Sequence, residues 1–178
     1  MNRIQLEHLI RASADIADDD EIVVLGSQSI LGQVPDAPAE LLVSVEADVY
    51  PRNHPDRWEL IDGSIGELSP FHRTFGYYAQ GVEPGTAVLP AGWQERLVVV
   101  SNANTRGARG LCLEPHDLAI AKYVAGREKD RVFLAAAIRH RLLRQETLLE
   151  RLGETPIDQD RQSFIQEKIN ADFRNRVL

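Results

Sequence analysis

Cysteine is almost absent from this chain of 178 residues, which contains one, Cys112. A single cysteine excludes an internal disulfide and any cysteine-rich metal site. Because Cys112 stands between Leu111 and Leu113, we expect a buried structural thiol and not a reactive nucleophile.

Long apolar runs are also missing. No stretch approaches the ~18 consecutive apolar residues of a membrane-spanning helix, and the opening residues, MNRIQLEHLI, lack the apolar segment that is typical of a secretory signal. The sequence therefore predicts a cytoplasmic protein.

Positive charge is in deficit. The chain has 20 Lys and Arg against 27 Asp and Glu, so its net charge is −7. Proteins that coat nucleic acid through phosphate contacts are normally basic. This balance excludes nucleic-acid binding over most of the surface, and a nucleic-acid partner would have to meet a local basic patch.

A content of 43% hydrophobic and 26% charged residues is typical of a globular domain. Predicted strands occupy the first part of the chain and helices the part after Leu113. We therefore predict an α+β fold with a small mixed β-sheet of four or five strands, flanked by helices. The expected organisation is a core over 1–113 and a C-terminal helical extension over 114–178, packed as one continuous globular unit.

Apolar periodicity predicts the elements. Strands are expected at 22–25, 41–50, 76–82, 96–101 and 111–113. Helices are expected at 4–17, 55–68, 116–125, 131–144, 147–152 and 158–176, the last with a ridge of Ile165, Ile169, Phe173 and Val177. The acids of 18–21 are interpreted as a solvated turn, and His72 and Arg73 are placed in a loop.

The predicted strand 41–50 carries two acids on one face. Alternation puts Glu46 and Asp48 on one side and Ala47 and Val49 on the other. Two acids about 6–7 Å apart along a strand repel unless a cation lies between them, and a divalent metal is the usual cation. The alternative is the solvated face of an antiparallel sheet.

A Gly-Ser turn follows the predicted strand 22–25. Gly26 and Ser27 precede a short helical segment, and backbone N–H groups with a hydroxyl at such a turn can hold a phosphate. The alternative interpretation is an ordinary turn between two elements.

Taken in order, strand, Gly-Ser, helix and acid-x-acid strand resemble the minimal nucleotidyltransferase fold of the polymerase-β-like superfamily. More narrowly, the sequence is similar to the bacterial family related to AbiEii-type toxins. The run Ser44-Val45-Glu46-Ala47-Asp48 matches that family in its serine, its spacing and its second acid. It departs from the family in having Glu46 where Asp is usual, and in a longer connection from Ser27 to Glu46.

A second stretch, LAIAKYVAGREKD over 118–130, is also similar to AbiEii-type relatives. The resemblance implies that this helix packs beside the acid strand and that Lys122 binds nucleotide phosphates. Arg127 and Lys129 are expected to bind the same phosphates or an RNA acceptor. Asp130 is expected to pair with Arg127 or to help hold the sheet face, and the alternative is an acid at the start of a helix.

The resemblance thus implies transfer of a nucleoside monophosphate from a nucleoside triphosphate to a hydroxyl. It assigns Glu46 and Asp48 to Mg²⁺, and Gly26 and Ser27 to the phosphates. Glu83 is expected to be a third carboxylate or, because it precedes the turn residues Pro84 and Gly85, a surface residue. Residues 127–151 hold seven basic and four acidic side chains, a net charge of +3, which favours an RNA acceptor such as tRNA. A toxin–antitoxin system with a cognate antitoxin is the implied context. The alternatives are a catalytically degenerate member of the fold and an antitoxin-type binding partner.

Overall fold

The computed structural model of the protein describes residues 1–175 and divides the chain into two compact units. The first comprises Met1–Thr86 and Leu97–Glu114, and the second comprises Ala87–Arg96 and the chain from Pro115 onward. None of the helices within the described residues combines the length and the apolar composition that a membrane crossing requires.

The first unit is built on a five-stranded mixed sheet. Its strands are β1 (Glu21–Val24), β2 (Glu46–Pro51), β3 (Tyr78–Gly81), β4 (Val98–Val100) and β5 (Arg109–Cys112), in the order β3-β2-β1-β5-β4. The pairs β1–β5 and β2–β3 are parallel, whereas β1–β2 and β4–β5 are antiparallel. The predicted α+β class and mixed sheet are confirmed, and so is the buried thiol of Cys112, whose pKa burial raises to about 12.

Four helices belong to this first unit: α1 (Arg3–Ala17), α2 (Ile30–Gln33), α3 (Trp58–Ile65) and α4 (Pro70–Phe75). The capping box of Asn2 and Gln5 begins α1. Its apolar stripe of Leu6, Leu9 and Ile10 is completely buried, and α1 contacts four strands of the sheet. Burial of such a stripe is the main source of a helix's stability in a small domain.

The second unit contains the remaining described helices, α5 (Pro115–Ala125), α6 (Glu128–Arg139), α7 (Gln145–Gly153) and α8 (Gln159–Asn175). The α8 ridge buries Ile165 and Ile169, while Val177 lies outside the described residues. The segment Ala87–Arg96 joins this unit because the guanidinium of Arg96 donates two hydrogen bonds, of 2.8 and 3.0 Å, to the fully buried carboxylate of Asp117 on α5.

Three element predictions are wrong. Strand β2 begins at Glu46 and not at residue 41. The α-amino group of Met1 donates hydrogen bonds to the carbonyl oxygens of Leu42 and Ser44 at 2.7 and 2.8 Å, so these oxygens are not available to pair with another strand. Residues 70–75 form α4 and not a loop, since Ser69 caps the helix that Pro70 begins. Helix α6 spans Glu128–Arg139 and not 131–144.

The acidic turn between α1 and β1 also differs from its prediction. Asp18 and Asp20 are exposed, but the side chain of Asp19 is only 1% exposed. It accepts hydrogen bonds from the backbone N–H of Glu21 (3.0 Å), of Asn53 (2.7 Å) and of His54 (3.0 Å), and from the Asn53 amide (2.9 Å). Asp19 therefore ties the α1–β1 turn to the chain that follows β2.

Asp19→Asn should cost about 2–4 kcal/mol of unfolding free energy at pH 7, because the backbone N–H groups of Asn53 and His54 lose a charged acceptor. Burial alone would raise the pKa of Asp19, but its four hydrogen bonds outweigh burial and lower that pKa. A lowered pKa means that the stabilisation is complete above the unfolded value of about 4 and is lost as the pH falls. Urea unfolding at pH 7, 5 and 3 should show that the difference in unfolding free energy between parent and variant becomes smaller toward pH 3.

Asp20→Asn provides the control, because Asp20 is exposed in the same turn. Its unfolding free energy should stay within about 0.5 kcal/mol of the parent. Equal stability of Asp19→Asn and Asp20→Asn at pH 7 would contradict the role given to Asp19.

Candidate active site

Strand β2 presents its two acids on one face of the sheet. Ala47 and Val49 are completely buried on the other face, while Glu46 and Asp48 are half-buried. The serine of the motif, Ser44, accepts a hydrogen bond from the backbone N–H of Glu46 at 3.1 Å. The structure places the two carboxylates on one face of the strand, as predicted.

The turn after β1 lies directly against the second acid. The backbone N–H of Leu25 donates to the carbonyl oxygen of Asp48 at 2.9 Å. A methyl group built on Gly26 would lie 2.1 Å from Oδ2 of Asp48, so only glycine fits between the turn and the carboxylate. Ser27 begins a 3₁₀ turn, Ser27–Ser29, that leads into α2. The structure thus brings Gly26 and Asp48 together.

Two polar side chains in this 3₁₀ turn were not singled out by the sequence. Gln28 and Ser29 are 0% exposed, and neither the Gln28 amide nor the Ser29 hydroxyl has a hydrogen-bond partner among the described residues. Buried polar groups are normally paired with protein or water. The sequence does not identify these two residues, because it is their burial without a partner in the described part of the folded chain that marks them.

Strand β3 contributes an aromatic hydroxyl to the first acid. Tyr78 pairs with Glu46 in the parallel register and donates its Oη–H to Glu46 Oε2 at 2.9 Å. Burial raises the pKa of Tyr78 far above its usual value, and Glu46, Glu67 and Asp48 raise it further. Tyr78 therefore stays a protonated donor, in a region whose electrostatics are dominated by carboxylates.

The third predicted carboxylate, Glu83, lies beyond the end of β3. Gln80 is the β3 residue in register with Asp48, and the exposed Glu83 follows three positions later. Within residues 1–175, no three His, Cys, Asp or Glu side chains form a group that could hold a metal ion. Mg²⁺ is commonly bound by one or two carboxylates together with phosphate and water oxygens, so Glu46 and Asp48 fit such an ion, and Glu83 as a ligand stays a prediction.

The other predicted site residues belong to the second unit. Lys122 on α5 is 8% exposed, and its Nζ lies 3.0 Å from Oδ1 of Asp130 and 4.5 Å from the centre of the Phe133 ring. A buried ammonium needs such a carboxylate and is further stabilised over an aromatic face. Lys122 and Asp130 are thus brought together.

Asp130 also begins α6. The Arg127 backbone N–H donates to Asp130 Oδ2 at 3.3 Å, which closes a capping arrangement at the helix start. The expected place of Asp130 at a helix start is what the structure has, and its ion pair with Lys122 was not predicted. Arg127 and Lys129 are exposed at the same end of the helix.

Comparison with protein families gives a match over nearly the whole chain. The model of a family described as a nucleotidyltransferase of unknown function (DUF6036) matches residues 4–176. No curated protein and no solved structure matches the chain. The match confirms the nucleotidyltransferase resemblance at the level of the family, while the narrower relationship to AbiEii-type toxins stays a prediction.

Proposed function

The chain belongs to the family of nucleotidyltransferases of unknown function (DUF6036), and we propose that it moves a nucleoside monophosphate from a nucleoside triphosphate to a hydroxyl acceptor. Its family implies a nucleotide substrate. The observation that carries the proposal is the contact of the Gly26 turn with the Asp48 carboxylate, beside Glu46 on the same strand face. A phosphate-binding turn next to paired carboxylates is an arrangement that suits metal-assisted phosphoryl chemistry.

In this proposal the backbone of Gly26 and the hydroxyl of Ser27 bind triphosphate oxygens. Glu46 and Asp48 would hold Mg²⁺, with Glu83 as the proposed further carboxylate, and Mg²⁺ held there would offset the triphosphate charge. Lys122 stays a predicted source of positive charge for the triphosphate on the family resemblance, and within the second unit Asp130 fixes the position of its Nζ. Arg127 and Lys129 add positive charge for the triphosphate or the acceptor.

Nucleotide binding separates this proposal from its alternative. A catalytically degenerate protein that serves as a binding or antitoxin-type partner is favoured by one observation, that no third carboxylate joins the acid pair in residues 1–175. Calorimetric titration with each of the four ribonucleoside triphosphates should show binding that requires Mg²⁺ and that is lost in Glu46→Gln. Absence of binding for all four, or equal binding without Mg²⁺, would favour the partner role.

For the acceptor we propose RNA, with tRNA as the first candidate, in a toxin–antitoxin context. Arg139, Arg141 and Arg144 are exposed around the end of α6. They do not follow one helix as predicted, because α6 ends at Arg139 and Arg141 has a left-handed backbone with φ of 60°. A local basic surface on an acidic chain would attract an anionic substrate without general nucleic-acid binding.

Replacing Arg139, Arg141 and Arg144 together by Gln should weaken tRNA binding about 10- to 100-fold at 50 mM salt, since three phosphate contacts are lost. The slope of log affinity against log salt should fall by about 2 to 3. Fluorescence anisotropy with labelled tRNA measures both quantities, and nucleotide binding should not change.

The control removes exposed positive charge from the first unit, as Arg73→Gln with Arg106→Gln. It should leave tRNA affinity within about twofold of the parent. An equal loss in both variants would indicate a general charge effect, and parent protein that binds no RNA at low salt would direct attention to a small-molecule or protein hydroxyl.

A further inference from the structure

The Glu46 carboxylate is held from the neighbouring strand. Glutamate has one more rotatable bond than aspartate, so its carboxylate samples more positions and loses more side-chain entropy when it is fixed. Tyr78 is in register with Glu46, and its hydroxyl reaches Oε2 at 2.9 Å. A hydrogen bond to one carboxylate oxygen sets the direction in which the other oxygen points.

Tyr78 is itself fixed by α4. The ring of His72 lies 4.5 Å from the Tyr78 ring at an angle of 44°. The backbone N–H of Leu68 donates to Nδ1 of His72 at 3.1 Å, which sets the tautomer that carries its proton on Nε2. The ring that packs on Tyr78 is thus also held by the backbone of Leu68.

Leu68 adopts a backbone conformation that supports this contact. Its φ is 61°, in the left-handed region that leucine rarely occupies. Its side chain is 73% exposed, so burial of the side chain does not account for this conformation. Such a conformation persists only where the surroundings require it. Here it directs the Leu68 N–H at His72, so the strain supports the chain of contacts from α4 through Tyr78 to Glu46.

We propose that Tyr78 is a positioning residue that orients the Glu46 carboxylate toward the metal–nucleotide complex, with His72 holding Tyr78. The inference rests on the proposed function, because only that function places a metal–nucleotide complex at Glu46. Hydrogen-bonded neighbours of metal ligands typically change metal affinity 10- to 100-fold when they are removed. Tyr78→Phe removes the hydroxyl and keeps the ring that packs on His72.

The test uses the full chain and Mn²⁺ as a spectroscopic probe. Electron paramagnetic resonance distinguishes free from bound Mn²⁺. A titration with a non-hydrolysable nucleoside triphosphate analogue, corrected for the Mn²⁺ that the analogue binds in a sample without protein, gives the dissociation constant of Mn²⁺ bound to the protein. Tyr78→Phe should weaken Mn²⁺ binding about 10- to 100-fold in the parent background. In the Glu46→Asp background the carboxylate is one methylene shorter and does not reach Tyr78, so the same change should alter binding less than about twofold.

Tyr77→Phe is the matched control. Tyr77 is as buried as its neighbour, and its hydroxyl lies 2.7 Å from His8 Nδ1, so the variant loses a comparable hydrogen bond away from Glu46. Its Mn²⁺ affinity should equal that of the parent.

Four outcomes would overturn the inference. Equal weakening by Tyr78→Phe in both Glu46 backgrounds would show that Tyr78 does not act through Glu46. Equal weakening by Tyr77→Phe would show a general structural effect. Failure of the parent to bind any Mn²⁺–nucleotide complex would contradict the proposed function and this inference with it, whereas normal binding in Tyr78→Phe would contradict the inference alone.

Discussion

Asp48→Asn should reduce nucleotidyl transfer by about 100- to 1000-fold while leaving the protein folded. Asparagine has the same shape as aspartate but lacks the charge that offsets a bound cation, and removal of one preorganised electrostatic contact at a reacting phosphate has an effect of this size. The negative charge also repels Glu46 on the same strand face. The unfolding free energy of the variant should therefore stay within about 1 kcal/mol of the parent.

The assay is release of pyrophosphate from labelled nucleoside triphosphate, with thermal unfolding measured in parallel. Asp36→Asn is the control, since Asp36 is an exposed acid in the loop between α2 and β2. It should keep parental activity. An Asp48→Asn variant that unfolds several degrees earlier and transfers at the parental rate would show that Asp48 has a structural role.

Gly26→Ala should lower transfer about 100-fold or more and should also destabilise the first unit, by about 1–3 kcal/mol. The added methyl group would lie 2.1 Å from Asp48 Oδ2 and 2.8 Å from its Cγ. Since the backbone of Gly26, with φ of −77°, is open to alanine, the whole effect comes from displacement of the Asp48 carboxylate.

Gly63→Ala isolates that effect. Gly63 lies within α3, and a methyl group there would meet nothing within 4 Å. This variant should gain up to about 1 kcal/mol of stability from helix propensity and keep full activity. If Gly26→Ala retains the activity of the parent, the turn does not approach the reacting groups and the site is wrongly placed.

Much of the first unit could be predicted from local patterns. The α1 stripe, the β4–β5 hairpin and the alternation of Glu46 and Asp48 depend on residues that lie close together in the sequence, at most 14 positions apart in the hairpin. The start of β2 could not be predicted, because it is set by hydrogen bonds between Met1 and carbonyl groups more than 40 positions away. Burial of Asp19 was missed for the same reason, since its partners Asn53 and His54 follow the next strand.

The candidate site was predictable in its residue types and less so in its contacts. The pairing of Tyr78 with Glu46 depends on the parallel register of β2 and β3, which neither strand specifies alone. The contact of Lys122 with Asp130 depends on how α5 and α6 pack. The place of Ala87–Arg96 in the second unit follows from the ion pair of Arg96 with Asp117, 21 residues along the chain.

Transfer itself is the most direct test of the central claim. Purified protein would be incubated with each α-labelled nucleoside triphosphate, Mg²⁺ and total RNA, and both labelled product and pyrophosphate would be measured. We predict label in RNA together with an equal amount of pyrophosphate, both dependent on Mg²⁺ and both absent with Asp48→Asn. Parent protein that yields no labelled product with any nucleotide, or product that Asp48→Asn forms equally well, would contradict the claim.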